Sequence, residues 1–353
     1  MPIERSVWVL AKKEKQAASC SRLGTVGGQA LIEGVMMKSK NRIAMAVRRY
    51  DNGQITARAK DYVGVRQKHK WLNIPILRGV INFIEMLLMS FSTLTESTEM
   101  LGIEEEAEPG KFEKWLNKVF GKSLMAVISF IAVIIGVGIA IALFFWLPLF
   151  IVDGLQNWLG FNDIVRSVLE GVIKIAIFIS YISLTSLLKD IRRTYQYHGA
   201  EHKSIFCYEK GLDLTVENVK KQRRYHPRCG TSFIFVVLFI SILGTAILYS
   251  AVDFGDNTLL RMSSKFLLLP ILVGVSFEFI MFAGKHDNAF TRILSAPGLW
   301  MQRITTREPD DDIIEVAIVS LKTALIEEFP DFEVPFDEGY DIHGKIKTDG
   351  ESK

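Results

Sequence analysis

The chain has 353 residues, 49% of them hydrophobic, with 42 Lys and Arg against 39 Asp and Glu. A net charge of +3 gives no case for nucleic-acid binding, and three cysteines (Cys20, Cys207, Cys229) with no close pair exclude a disulfide-stapled secreted domain. Mean hydropathy is positive and the apolar residues sit in runs, which points away from an ordinary soluble protein.

The first thirty residues hold no apolar stretch long enough for a signal peptide, so the amino terminus is expected to stay in the cytosol. Residues 1–122 read as a cytoplasmic region with a small sheet and an amphipathic helix. Gly27–Met37 mixes a glycine entry with an apolar, strand-like run, without the spacing or the lysine of a P-loop. Ile43–Arg49 and Ile55–Lys60 alternate as strands, and Asp51-Asn52-Gly53 between them predicts a β-hairpin. Pro75 can open a helix to about Thr95. Its stripe of Arg78, Asn82 and Glu85 is costly in lipid and favours the membrane interface over a fifth span. Glu104–Gly110 reads as a solvated linker.

Residues 123–188 are expected to hold two transmembrane helices. Ser123–Val152 is free of ionisable residues; at about 1.5 Å per residue it is long enough for roughly 30 Å of hydrocarbon. Val168–Leu188 contains Glu170 and Lys174, four apart and able to pair. Two more spans, Gly230–Val252 and Phe266–Gly284 with Glu278 inside it, occupy residues 233–284. Between the pairs lies a basic loop, residues 189–232, carrying Lys189, Arg192, Arg193, Arg223, Arg224 and Arg228 among others. The positive-inside rule places that loop and both termini in the cytoplasm. In residues 285–353, Pro309-Asp310-Asp311-Asp312 caps a helix to about Phe329, and the tail after Gly339 is polar.

Tyr197-His198-Gly199-Ala200-Glu201-His202-Lys203 contains H-x-x-E-H. Residues four apart share a helix face, so His198 and His202 can offer two imidazoles to one divalent cation, zinc by preference. Glu201 projects beside them as a general base. Tyr225-His226-Pro227-Arg228-Cys229 closes the same loop and offers His226 and Cys229 as further metal ligands. His286, Glu278, Arg228, Gln29 and Glu33 are accessory candidates. A set of four protein donors would instead make a closed structural site, with Glu201 orienting a ligand.

Gly28-Gln29-Ala30, Glu33-Gly34-Val35-Met36-Met37, Arg78-Gly79, His198 to Lys203, His226 to Thr231 and the Glu308-Pro309 region together resemble the YqhQ-like family of bacterial membrane proteins. That resemblance covers about Gly24 to Phe329. It implies a multi-pass bacterial membrane protein and a suspected metal-dependent enzyme of unassigned substrate.

The expectation is therefore a mainly α-helical integral membrane protein of the bacterial cell membrane. It has about four transmembrane helices and a small α+β cytoplasmic portion containing a β-hairpin. Its expected function is zinc-dependent hydrolysis of a membrane-proximal substrate at the cytoplasmic surface. The rivals are a membrane scaffold or assembly factor with a structural metal site and, third, a transporter component. The sequence shows no repeat of the kind many transporters carry.

Overall fold

The computed structural model describes residues 22–102, 124–160, 162–252, 258–283 and 289–337. Cys20, the linker at 104–110, His286 and the tail after 339 lie outside the described residues.

Four strands, β1 (Gly27–Leu31), β2 (Gly34–Lys38), β3 (Arg42–Arg48) and β4 (Ile55–Asp61), form one antiparallel sheet in the order β1-β2-β3-β4. The expected hairpin is β3–β4, with Val47 opposite Thr56. Its turn is stabilised by Asp51 and Asn52 side chains that accept the Asn52 and Gln54 amides, and Gly53 takes a φ of 69°. The run Gly27–Met37, expected as one strand-like stretch, is a second hairpin. It reverses at Ile32-Glu33, where Glu33 sits at a φ of 51°. Outside ties hold that left-handed conformation: the Glu33 carbonyl accepts the Arg48 amide at 2.8 Å, and its carboxylate pairs with Arg193.

Strand alternation gives the sheet two buried faces. Leu31, Met36, Ile43, Met45 and Val47 face one way and pack on Met100 and Leu101. Val35, Met37, Ala44, Ala46, Ala57 and Ala59 face the other way and pack against two later helices. The alanines leave room for those helices to lie close.

Ten helices are used below: α1 (Leu77–Met100), α2 (Leu124–Ile141), α3 (Leu147–Leu159), α4 (Asp163–Thr185), α5 (Lys189–Glu209), α6 (Val216–Lys220), α7 (Gly230–Ala251), α8 (Thr258–Ala283), α9 (Ala289–Thr305) and α10 (Asp311–Ala324). A π-helical turn at Ala142–Trp146 joins α2 to α3. The sheet's alanine face is covered by α5 and α10. The helix expected to reach Phe329 stops at Ala324. Beyond it the chain turns back to β4, where the Pro335 carbonyl accepts the Ala57 amide at 2.7 Å.

Five helical segments among the described residues are long and apolar enough to cross a membrane: Leu77–Met100, Ile131–Gln156, Ile164–Thr185, Gly230–Ala251 and Leu259–Phe282. Four were expected, and the additional one is α1. Contacts set α1 apart from the others. Along β4, Tyr62 pairs with Glu85, Lys60 with Glu96 at 2.5 Å, and Arg58 with Glu99 at 3.2 Å. The opposite flank presents Ile84, Leu87, Leu88, Phe91 and Leu94, all exposed. Inside the bundle, Glu170 pairs with Lys174 at 3.8 Å, as expected, and also with Lys265 of α8.

Candidate functional site

Helix α5 carries the H-x-x-E-H segment, and its inward face is almost wholly buried from Tyr197 to Glu209. Gly199 is required there: a β-carbon would stand 2.0 Å from the Arg307 carbonyl oxygen, in the strand-like segment that crosses α5. One turn of helix sets the His198 and His202 ring centroids 4.4 Å apart. Cys229 reaches the pair from the residue that precedes α7, with Sγ 3.2 Å from His198 Nε2. One donor atom from each of these three residues lies within 4.8 Å of the others.

Backbone carbonyls fix both rings. His198 Nδ1 donates to Thr305 O at 2.8 Å and His202 Nδ1 to Arg224 O at 2.5 Å. With the proton on Nδ1, each Nε2 is left as a lone pair, the arrangement of a histidine prepared as a metal ligand. His202 Nε2 is buried and has no hydrogen-bond partner among the described residues. A lone pair of that kind is costly unless something fills it. The donor set therefore fits a divalent cation.

Glu201 is buried beside them, its Oε2 4.0 Å from His198 Nε2. Burial pushes its carboxyl up to about 7, against the nearby imidazole, which lowers it. Strand β1 covers this carboxyl through a residue without a side chain: a β-carbon on Gly28 would lie 2.7 Å from Glu201 Cγ.

His226, the expected fourth ligand, is next to the group but outside it. Its ring centroid is 5.5 Å from that of His202 and 4.6 Å from that of Phe206. Gln302 holds its backbone on both sides, accepting the His226 amide at 2.7 Å and donating to its carbonyl at 2.8 Å. Its Nδ1 accepts the Arg228 amide, and its Nε2 stands 3.8 Å from Glu209. Burial lowers the His226 imidazole below its ordinary range.

The accessory candidates are placed elsewhere. Arg228 pairs with Glu209, and Glu33 pairs with Arg193 and accepts from Tyr197 at 3.2 Å. Gln29 shares the β1 face of Leu31, turned from α5. Glu278 pairs with Arg78 of α1 and not with the histidine loop. Two contributors were missed in the sequence. Glu209, seven residues after His202 and so on the same helical stripe, could have been found by that spacing; Gly28 could not.

Apolar helices of membrane-spanning length, a small antiparallel sheet and a His/His/Cys group define a helical membrane-type protein with a candidate metal site. The chain belongs to the family described as a protein of unknown function, DUF1385, whose model matches residues 74–327. It is similar to the uncharacterized protein YqhQ of Bacillus subtilis (strain 168), with 36% identity over 305 residues, covering 85% of this chain and 92% of the relative. No solved structure matches.

Proposed function

We propose that this protein is a metal-dependent hydrolase of a bacterial cell membrane, working at the cytoplasmic surface with zinc as the preferred cation. One observation carries the reading: His198 and His202, each tethered through Nδ1 to a backbone carbonyl, each bring a ring nitrogen within 4.8 Å of Cys229 Sγ. Two imidazoles and a thiolate suit zinc. A bound divalent cation supplies Lewis acidity to a substrate oxygen or to water. Glu201, buried beside His198 with a carboxyl near neutrality, accepts a proton from the attacking water and returns it to the leaving group. Among the described residues three donors are grouped, which would leave a position for substrate where a closed structural site uses four.

The contacts of α1 support the surface placement. A helix tied between Glu85 and Glu99 to β4 and the Tyr62 that follows it, and apolar on its outer flank, fits a position in the plane of the interface. The remaining four apolar helices then cross, and both termini share the cytoplasmic side with the basic loop.

Metal analysis of the detergent-purified full chain tests the reading. Stoichiometric zinc is expected in the wild type and in Glu201→Gln, and is lost in His198→Ala and His202→Ala. A wild type that retains no zinc, iron or manganese after loading overturns it.

A second reading has one specific contact. Cys229 Sγ, 3.2 Å from His198 Nε2 and at the start of α7, is also the arrangement of a thiol nucleophile and its base. Iodoacetamide separates the two: zinc protects a ligand thiolate, and a free nucleophile is alkylated equally with or without it.

A further inference from the structure

A cleft of about 790 Å³ opens between the end of α5, the loop leading into α7, and α9. Lys210, Arg223 and Arg303 line it, and among the described residues no carboxylate does. Neither arginine makes an ion pair among the described residues, and Lys210 donates at 2.7 Å to the neutral Gln222 Oε1. Three nearby cations are paired instead, Arg228 with Glu209, Arg193 with Glu33 and Lys220 with Asp311, while Arg224, next to the lining residue Tyr225, donates to the Tyr225 hydroxyl at 2.8 Å. The cleft thus concentrates positive charge that the protein does not neutralise.

Its remaining wall is apolar and aromatic, with Tyr225, Leu299 and Trp300. Pro227, also in the lining, lies three residues before the apolar helix α7, and α9 packs along α7. That places the cleft at the level where a membrane surface meets this helix. Trp300 is 55% exposed, the position tryptophan favours at a membrane–water boundary.

We propose that this cleft binds an anionic phospholipid, with the headgroup phosphate held by Lys210, Arg223 and Arg303 and the acyl chains lying along Leu299 and Trp300. The charge calls for an anion, and the apolar wall calls for a tail on that anion. The proposal rests on the membrane-surface placement given above and not on the metal. It also brings the headgroup close to the candidate site, because Phe206 both lines the cleft and lies 4.6 Å, ring to ring, from His226.

The test is native mass spectrometry of the full chain released from detergent, with added phosphatidylglycerol, phosphatidylcholine or inorganic phosphate. Phosphatidylglycerol is expected to be retained in preference to phosphatidylcholine. The double variant Arg223→Gln/Arg303→Gln should weaken that retention roughly tenfold or more. Lys40→Gln/Lys70→Gln, from a basic surface elsewhere, should leave it unchanged. Trp300→Ala should weaken the lipid and not inorganic phosphate. Equal retention of both lipids, or of phosphatidylglycerol by wild type and the arginine double variant, overturns the proposal. So does displacement of the lipid by inorganic phosphate at comparable concentration, which would make this a plain phosphate site. Metal content measured on the same samples separates this outcome from that of the hydrolase reading.

Discussion

Glu201 and Gly28 meet across the α5–β1 contact so closely that a β-carbon on the glycine would lie 2.7 Å from Glu201 Cγ and 2.8 Å from Oε1. A strand backbone is therefore the cover that keeps the carboxyl dry, and its desolvation drives the carboxyl to about 7. Gly28→Ala is expected to destabilise by about 1–2 kcal/mol through overpacking. Gly27→Ala, with nothing within 4 Å of its added carbon, should leave the protein unchanged. Thermal melts of the two variants in detergent compare them directly; equal melting points would deny the contact.

Gly199 presents a harder obstacle, since its neighbour is the Arg307 carbonyl at 2.0 Å and not a movable side chain. The same crossing is held by the Arg307 amide donating to Tyr195 O at 2.8 Å. Gly199→Ala should cost about 3 kcal/mol or more and separate the crossing segment from α5. Faster amide exchange at Arg307, beyond that in the four-stranded sheet and α10, is the expected signature.

Glu209 gives a pH dependence whose sign can be worked out. Burial alone would raise its carboxyl, but His226, the Gly24 amide and the Arg228 guanidinium together hold it below the usual range. A carboxylate depressed by folding adds stability above its unfolded pKa of about 4.3, and that stability is lost as pH falls through the folded value. Wild type should therefore melt well above Glu209→Gln at pH 7, with the gap closing below about pH 4. A constant gap across that range would show that the carboxylate charge is not what matters.

The placement of α1 can be read from which side its two ends are reached. Asn73, just before the helix, and Thr98, in its last turn, are both exposed. Cysteines placed there, in a background with the native cysteines replaced by serine, should both react with a membrane-impermeant maleimide from the cytoplasmic side. A helix that crossed would expose one of them on each side.

Glu278 and Arg78 close the other end of α1 on α8, where Gly79 also packs against Phe277 and Gly274. Arg78→Met leaves the Glu278 carboxylate with only the Ile76 amide and should lower the melting point; adding Glu278→Met should recover most of the loss. Additive losses in thermal melts would show that the two side chains act separately.

The parts of the fold that depend on local pattern were legible in the sequence. Asp51-Asn52-Gly53 fixed the hairpin, the uncharged runs marked helices, and four-residue spacing put His198 and His202 on one face. What the sequence did not reveal depends on partners distant in the chain. The turn at Glu33 needs Arg48 and Arg193 to hold it, so no local signal announced it. His226 was expected among the ligands because it is close to Cys229 in sequence. Gln302, 76 residues on, is what fixes its backbone. Glu278 looked unpaired only because Arg78 lies 200 residues away. The polar stripe of α1 favoured the interface, but the partners of its carboxylates, Tyr62, Lys60 and Arg58, lie in and just after β4 and carried no local signal.

The alanine face of the sheet comes from residues near the amino end of the chain, whereas α10 and the segment that bridges back to Ala57 come from near the other. Ser320 even hydrogen-bonds the Ala44 carbonyl, 276 positions earlier. During synthesis, then, the alanine face is first met by α5 and stays half open while α7, α8 and α9 are made. It is sealed only when α10 leaves the ribosome. A nascent or truncated chain ending before α10 would lack that seal and leave the sheet's alanines uncovered beside α5.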